Sequence, residues 1–482
     1  MTSSDKIERA PIAAPDAAAT SANHLAVELT ETLKLAVPIA LTQLGQIAMM
    51  TTDLALIGRL GDHAVAAAAL AHTVFFIAFT FGMGLVSAVA PLAAQAFGAR
   101  NPRLVRRALR VGLWTALLSS LPILLLRVHG EQILLMLGQA PATAHLAQQY
   151  LEGLAWGIAP ALCFLAIRGF MGAVNRPKPG LWITLAAIPA NAMLVYLLIH
   201  GKLGLPRLEL FGAGLATTII NCGMFLAGLW FAHSRRPFRK YQVLGNIWRI
   251  DWLLMRQLFV IGAPISVAFL MEYGLFAAAA LLMGLISTTA LAAHQIALQV
   301  TAILFMVPFG IGMAATVRVG HAVGRNDAAA VKRAGFVATL LGIVLVSTLT
   351  LAVMLGRFAI ARLFFGEAVE SGGAVIELTA TLLMVGATFF VADGIQTVAA
   401  GALRGMNDTR IPLLFAAISY WLIGFPAAYG LAFGTKFGAI GVWIGLSCGT
   451  AVYAILLILR FRLLARGLEF AGVKSTRPTP AP

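Results

Sequence analysis

The chain has 482 residues, of which 60% are hydrophobic and 11% are charged, and its mean hydropathy is +0.88. Soluble globular proteins carry roughly a quarter charged residues, so this composition excludes a water-soluble enzyme. The formal net charge of +16 does not indicate a nucleic-acid partner, because the basic residues lie in short loops between apolar segments and form no soluble patch.

Twelve apolar segments, each about 20 residues or longer, follow one another along the chain, a pattern typical of helices that cross a bilayer. Their apolar residues run continuously and do not alternate with polar ones, which excludes the strands of a membrane β-barrel. The pattern therefore predicts an all-α polytopic membrane protein. We place the twelve transmembrane helices near 33–58, 66–96, 109–127, 146–173, 180–200, 211–232, 257–286, 292–321, 335–356, 376–404, 411–433 and 438–462.

Basic residues are shared unevenly between the loops. If both termini are cytosolic, the cytosolic regions hold 28 of the 35 Lys and Arg residues and the outer loops hold the other seven, as the positive-inside rule requires. The most hydrophilic break, 234–240, separates the sixth and seventh segments. The predicted organisation is a disordered cytosolic tail, a six-helix lobe, a cytosolic linker, a second six-helix lobe and a disordered cytosolic tail, over 1–29, 30–233, 234–256, 257–465 and 466–482.

The two halves of the chain resemble each other. A shift of 226 residues places Gly84 on Gly310, and a shift of 233 residues places Gly172 on Gly405. Six helices per half is an even number, so both halves enter the membrane from the same side. The predicted lobes are therefore related by a pseudo-two-fold axis along the membrane normal, with a cleft between them, as in many transporters.

Three carboxylates lie deep in the apolar segments: Asp53 in the first, Glu272 in the seventh and Asp393 in the tenth. A carboxylate at the bilayer centre costs roughly 3 kcal/mol on insertion scales, so it needs a cavity, a partner or a function. Glu272 and Asp393 share the second lobe and would repel each other when both are ionised. We therefore expect at least one of them to hold a proton or a cation near neutral pH, and we predict that the pair couples transport to a cation gradient.

Other polar side chains extend these predictions. Gln46 lies two turns from Asp53 on the same helix face, and Asn191 lies in the fifth segment, so the three residues form a predicted polar or substrate site in the first lobe. For Asp53, Glu272 and Asp393 the alternative is a structural carboxylate that caps a helix or pairs within the bundle. Possible contributors to the cavity are His294, Gln295, Gln396 and Phe389.

The sequence has no phosphate-binding Gly-x-x-x-x-Gly-Lys loop, which argues against nucleotide-driven transport. It also has no His-x-x-x-His pair that would bind a metal. We therefore predict a secondary transporter without a cofactor and not an enzyme. Its predicted driving force is a gradient of protons or of another cation. If the ion is Na⁺, Glu272 and Asp393 are its predicted ligands.

Taken together, these residues resemble the MATE (multidrug and toxic compound extrusion) family, in its NorM-type branch. The likeness covers roughly residues 30 to 465 and rests on Thr52-Asp53, Gly262-Ala263-Pro264 through Glu272, Ala292-Ala293-His294-Gln295-Ile296, Arg318-Val319-Gly320, Asp393 before Gly401-Ala402-Leu403-Arg404-Gly405, and the loop Gly172-Ala173-Val174-Asn175-Arg176-Pro177-Lys178.

The resemblance implies twelve helices in two lobes and antiport of drugs against Na⁺ or H⁺. Glu272 and Asp393 match the acidic pair of the family, and Asp53 matches its first-lobe aspartate. Two positions depart from the family patterns. Phe389 stands where NorM-type sites tend to have Tyr, and Val195 stands where the DinF-type branch tends to have Asp.

The leading prediction is a cation-coupled multidrug antiporter of the cell inner membrane, with both termini cytosolic. It would export cationic amphipathic compounds by alternating access, as a monomer whose partners are its small-molecule substrates and the lipid bilayer, with no nucleic acid. One alternative is a flippase for lipid-linked precursors, or a metabolite exporter, on the related fold. The other is a membrane enzyme or receptor.

Overall fold

A computed structural model describes residues 17–202, 204, 206–243, 245, 248–365 and 372–475. Within these ranges the chain forms helices and no strand. Ten helices are long and apolar enough to cross a membrane, and two bent helix pairs meet the same test, which gives up to twelve spans. The predicted all-α, multi-pass membrane fold is confirmed. The described helices are α1 (Ala17–Ile57), α2 (Asp62–Ser87), α3 (Val89–Gly98), α4 (Pro102–Ile123), α5 (Leu126–Met136), α6 (Pro141–Ala155), α7 (Ile158–Ala173), α8 (Lys178–His200), α9 (Glu209–Ser234), α10 (Trp252–Ile286), α11 (Thr288–Gly324), α12 (Ala328–Phe365), α13 (Gly372–Gly405), α14 (Arg410–Ala416), α15 (Phe425–Phe433) and α16 (Ala439–Ser475).

Three spans are not regular helices. The third, α4 with α5, bends by 57° beyond Pro122, where the ring removes a backbone hydrogen bond. The fourth, α6 with α7, bends by 46° at Gly157, which packs closely against Thr218 of α9. The eleventh contains a π-helical segment, Ala417–Gly424, between α14 and α15.

Helices extend beyond several predicted boundaries. Residues 17–29, which we predicted as part of a disordered tail, form the start of α1, and residues 466–475 continue α16. The start of α1 is ordered because the Glu28 carboxylate forms an ion pair with Arg318 of α11. Residues 252–256 of the predicted linker belong to α10. The remaining tail residues, 1–16 and 476–482, lie outside the described residues.

Asp251 fixes the start of α10. Its side chain caps the helix by accepting a hydrogen bond of 3.2 Å from Leu254 N–H, and it is paired with Arg107 of α4. Burial acts to raise the pKa of the Asp251 carboxyl, but the hydrogen bonds from Arg107 and the Leu254 N–H outweigh it, so the pKa is lowered.

The lobes share one hydrophobic core at only one side of the bundle. We call this side, which holds the α3–α4, α7–α8 and α11–α12 turns, the terminal face. Its core mixes first-lobe residues such as Leu109 and Ile167 with second-lobe residues such as Ile261 and Val319. At the opposite face each lobe has a separate core. The cleft between the lobes therefore opens to the opposite face.

The lobe interface repeats itself as a two-fold relation requires. A Cβ atom at Gly98 would lie 2.2 Å from the His321 carbonyl oxygen, and one at Gly324 would lie 2.1 Å from the Gln95 carbonyl oxygen. The shift of 226 residues converts the first contact into the second. Only glycine allows two backbones to approach this closely, so both copies of the repeat use it to close the terminal face.

Candidate functional site

Glu272 of α10 and Asp393 of α13 are joined through the side-chain amide of Gln396. Its Nε2 donates one hydrogen bond to Glu272 Oε1 at 2.9 Å and one to Asp393 Oδ1 at 2.8 Å, which uses both hydrogens of the amide. Asp393 and Gln396 are only 4% and 3% exposed, and Glu272 is partly exposed. We call these three residues, together with Tyr420, the second-lobe site.

Tyr420 orients the bridging amide. Its hydroxyl donates to Gln396 Oε1 at 2.8 Å and also lies 3.4 Å from Glu272 Oε1. Because the amide oxygen faces the phenol, the amide nitrogen must face the carboxylates. Tyr420 belongs to the π-helical segment, and such segments are frequent at functional sites. Tyr420 was not among the predicted site residues, because a π turn does not change the apolar pattern of the sequence.

The oxygen-rich composition of the second-lobe site suits a proton or a hard cation. Two carboxylates and a phenol are the oxygen ligands that such cations prefer, whereas thiolate and imidazole ligands select transition metals. Among the described residues, no group of three or more His, Cys, Asp or Glu side chains is arranged to hold a metal ion. The chemistry available to these side chains is reversible neutralisation of two neighbouring negative charges.

A second buried carboxylate group lies in the first lobe. Asn191 Nδ2 donates a short hydrogen bond to Asp53 Oδ1, and Thr217 Oγ1 donates to Asp53 Oδ2 at 3.2 Å. The Asn191 oxygen is buried and has no hydrogen-bond partner in the described part of the chain, so it remains a free acceptor beside the carboxylate. Gln46, predicted to join this site, forms no hydrogen bond to Asp53 or Asn191 in the described part of the chain. Thr217 was missed, since a threonine in an apolar segment is usually bonded to its own helix.

Three predicted contributors lie outside both hydrogen-bonded groups. Phe389 is buried one turn from Asp393 and packs edge-on against Trp443, with ring centroids 5.7 Å apart. His294 is also buried against Trp443, and neither ring nitrogen has a hydrogen-bond partner among the described residues. Gln295 is exposed.

The terminal face is held shut by polar contacts between the lobes. Arg318 of α11 donates two hydrogen bonds of 2.8 Å to the carboxylate of Glu28 in α1, and these side chains are 14% and 9% exposed. His321 Nε2–H donates to the Ala173 carbonyl oxygen at 2.6 Å, and Gln95 Nε2 donates to the Gly405 carbonyl oxygen at 2.8 Å. The protein is therefore closed at the terminal face and open at the opposite face.

Two other features do not form a reaction site. Gly445-Leu446-Ser447-Cys448-Gly449 matches the Gly-x-Ser-x-Gly pattern of hydrolases, but Ser447 lies within α16 and its hydroxyl donates to the Trp443 carbonyl oxygen at 2.8 Å. A groove of about 600 Å³ between α12, α13 and α16 is lined mainly by aliphatic side chains and contains no carboxylate.

Comparison with known proteins agrees with the repeated architecture. The MatE family model matches residues 38–197 and 264–430, one range in each lobe. The chain belongs to the MatE family. Two relatives described as "Probable multidrug resistance protein NorM" are 69% identical over 446 residues in Bradyrhizobium diazoefficiens and 60% identical over 446 residues in Rhodopseudomonas palustris. These matches cover 92% of this chain and 96% and 94% of the relatives. The NorM-type resemblance is confirmed.

Solved structures show the same fold at lower identity. The eukaryotic MATE transporter AtDTX14 is 21% identical with a TM-score of 0.82, over 92% of this chain and 98% of that one. A MATE family transporter in an outward-facing conformation is 18% identical with a TM-score of 0.84, over 92% and 96% of the two chains. The prediction of two six-helix lobes is confirmed, and MatE membership makes this chain a transporter and not an enzyme.

Proposed function

We propose that the protein is a multidrug efflux antiporter that exports cationic amphipathic compounds in exchange for Na⁺ or H⁺. The observation that carries this proposal is the bridge from Gln396 to Glu272 and Asp393. It holds two like charges together in an apolar lobe, where they gain most from binding a cation. The names of the NorM relatives support multidrug resistance as the physiological role.

The way in which the lobes meet supports alternating access. With 28 of 35 basic residues on its side, the terminal face is the cytosolic face of the inner membrane in our proposal, and both termini are cytosolic. The structure then corresponds to the outward-open state, in which a cation from outside reaches the second lobe. Exchange requires a second state in which the Glu28–Arg318 pair and its neighbours separate.

A cationic substrate binds in the cleft through charge and ring contacts in this proposal. Asp53 supplies a carboxylate in the first lobe. Phe76 of α2 and Tyr273 of α10 meet across the lobe interface, with ring centroids 5.5 Å apart, and Tyr273 directly follows Glu272 in the chain. Aromatic faces attract organic cations, so these two rings provide a surface for a flat, positively charged compound.

The proposal is tested in proteoliposomes that contain the purified protein and the fluorescent cation ethidium, with Na⁺ and pH gradients imposed separately. We expect one of the gradients to drive ethidium transport, and Glu272→Gln and Asp393→Asn to reduce that transport by tenfold or more. Glu377→Gln is the matched control, because Glu377 is an exposed carboxylate on the same helix as Asp393. Full gradient-driven transport by both site variants would falsify the coupling assignment.

Substitution of the first-lobe carboxylate separates substrate binding from folding. We expect Asp53→Asn to weaken ethidium binding while the yield of folded protein stays unchanged. Equal loss of folded protein would show that Asp53 and its partners Asn191 and Thr217 serve only packing.

A further inference from the structure

Each lobe places one arginine of its fourth span against the same position of its first span. In the first lobe, Arg168 of α7 donates a short hydrogen bond to Gln43 of α1. In the second lobe, the Arg404 guanidinium of α13 lies 4.9 Å from the centre of the Phe269 ring of α10. Phe269 is the repeat equivalent of Gln43. Both arginines lie near the ends of predicted spans, 146–173 and 376–404, and in the structure both belong to helices and neither is fully exposed.

Only the second-lobe arginine lies on the terminal-face side of two carboxylates. Phe269 is one turn from Glu272 on α10, while the repeat equivalent of Glu272 in the first lobe is the neutral Gln46. Arg404 is eleven residues from Asp393, which places both on one face of α13. A helical side chain tilts towards the N-terminus of its helix, so Arg404 leans from the terminal face towards the site.

The charge of this arginine acts on the site from a distance. Among the described residues Arg404 forms no ion pair, but its guanidinium is near enough to the Glu272 carboxylate for the two charges to attract each other. Glu272 lies one helical turn beyond Phe269 on α10. The Arg404 guanidinium and the Glu272 carboxylate are therefore on the order of 10 Å apart. At that range, inside a lobe of low polarity, a fixed positive charge still acts on a cation site.

We propose that Arg404 is a fixed countercharge that sets how many cations the second-lobe site binds. The inference rests on the cation coupling proposed above. Glu272 and Asp393 carry two negative charges, and Arg404 offsets one of them, so one Na⁺ or one proton completes neutrality. A net charge enclosed in an apolar lobe is costly. Without Arg404 the lobe therefore binds one cation more before it is neutral.

The experiment counts cations in detergent-purified protein as isotopic Na⁺ bound plus protons taken up or released. We expect Arg404→Gln to bind one more cation per molecule than the wild type and to bind the first with an affinity about tenfold higher. Arg404→Lys keeps the charge and should keep the wild-type count. Arg168→Gln, which removes the arginine that contacts the matching first-span position in the first lobe, should also leave the count unchanged.

The double variant Glu272→Gln/Arg404→Gln guards against a structural explanation. It removes one charge of each sign, so the count should return to the wild-type value. In proteoliposomes, Arg404→Gln should move one more positive charge per ethidium, which makes exchange more sensitive to a valinomycin-induced K⁺ potential than in the wild type.

An unchanged count in Arg404→Gln, or an equal change in Arg168→Gln, overturns the countercharge. If Arg404→Gln does not fold, the double variant and Arg404→Lys decide the question, and a count that differs from the wild type in either overturns it. A wild type that binds a cation but does not couple ethidium to either gradient contradicts the proposed antiport and leaves the binding count as the test of Arg404.

Discussion

Glu28→Gln should shift the protein from the state closed at the terminal face to the state open there. The Glu28–Arg318 pair joins the lobes and is nearly buried, so it exists only while that face is closed. Loss of one partner leaves the other charge buried, which costs about 3 kcal/mol at the lower end for such pairs. Once the face opens, water solvates Arg318 and the cost disappears. A tenfold change corresponds to about 1.4 kcal/mol, so the equilibrium should move about 100-fold.

The shift is measured as the distance between spin labels at Arg103 and Ala329, exposed positions at the terminal face in the first and second lobes. The double variant Glu28→Gln/Arg318→Gln should recover at least half of the closed population, because it leaves no buried charge. Asp408→Asn is the matched control, because the Asp408–Arg460 ion pair lies within the second lobe. A distance distribution in Glu28→Gln that matches the wild type would refute this prediction. An equal change of the distribution in Asp408→Asn would refute it as well.

Three further outcomes are expected. Tyr420→Phe removes the hydroxyl that orients the bridging amide, so the half-saturating concentration of the coupling cation in ethidium exchange should change by about fivefold, as for the loss of about 1 kcal/mol in one hydrogen bond; an unchanged value contradicts the role of the phenol. Because the pKa of Asp251 is lowered in the folded state, its pairing with Arg107 stabilises the protein above about pH 4. This stabilisation is lost as the pH falls through the pKa of the folded state. The unfolding temperatures of Asp251→Asn and the wild type should therefore differ at pH 7 and converge at acid pH, and a difference that persists there counts against this assignment. Gly98→Val should prevent closure of the terminal face and abolish ethidium efflux, whereas Gly172→Val, at a glycine with open space around it, should not; equal efflux by both variants rejects the close backbone contact.

The membrane spans and the duplication could be predicted from the sequence, because both depend directly on residue type. Apolar length identifies a span, and in-register glycines such as Gly98 and Gly324 identify the repeat. Irregular helix geometry was not accessible in this way. The bend at Gly157 and the π-helical segment around Tyr420 depend on contacts with other spans, which the apolar pattern does not report.

The site was predicted as individual carboxylates and not as hydrogen-bonded groups. Asp53, Glu272 and Asp393 stand out because charge is rare in apolar segments. Thr217 is a polar residue that occurs in ordinary helices, so only the fold shows its contact with Asp53. Arg404 was predicted at the end of the tenth span and counted as a cytosolic basic residue, whereas its contact with Phe269 depends on how α13 packs against α10.

The most direct test of the central claim is the double variant Glu272→Gln/Asp393→Asn in ethidium-loaded proteoliposomes. In our proposal the carboxylate pair is required for coupling and not for the cleft itself. We therefore predict that the variant still lets ethidium run down its own gradient but no longer accumulates it against one when a Na⁺ or pH gradient is imposed. Accumulation at the wild-type level would contradict the account.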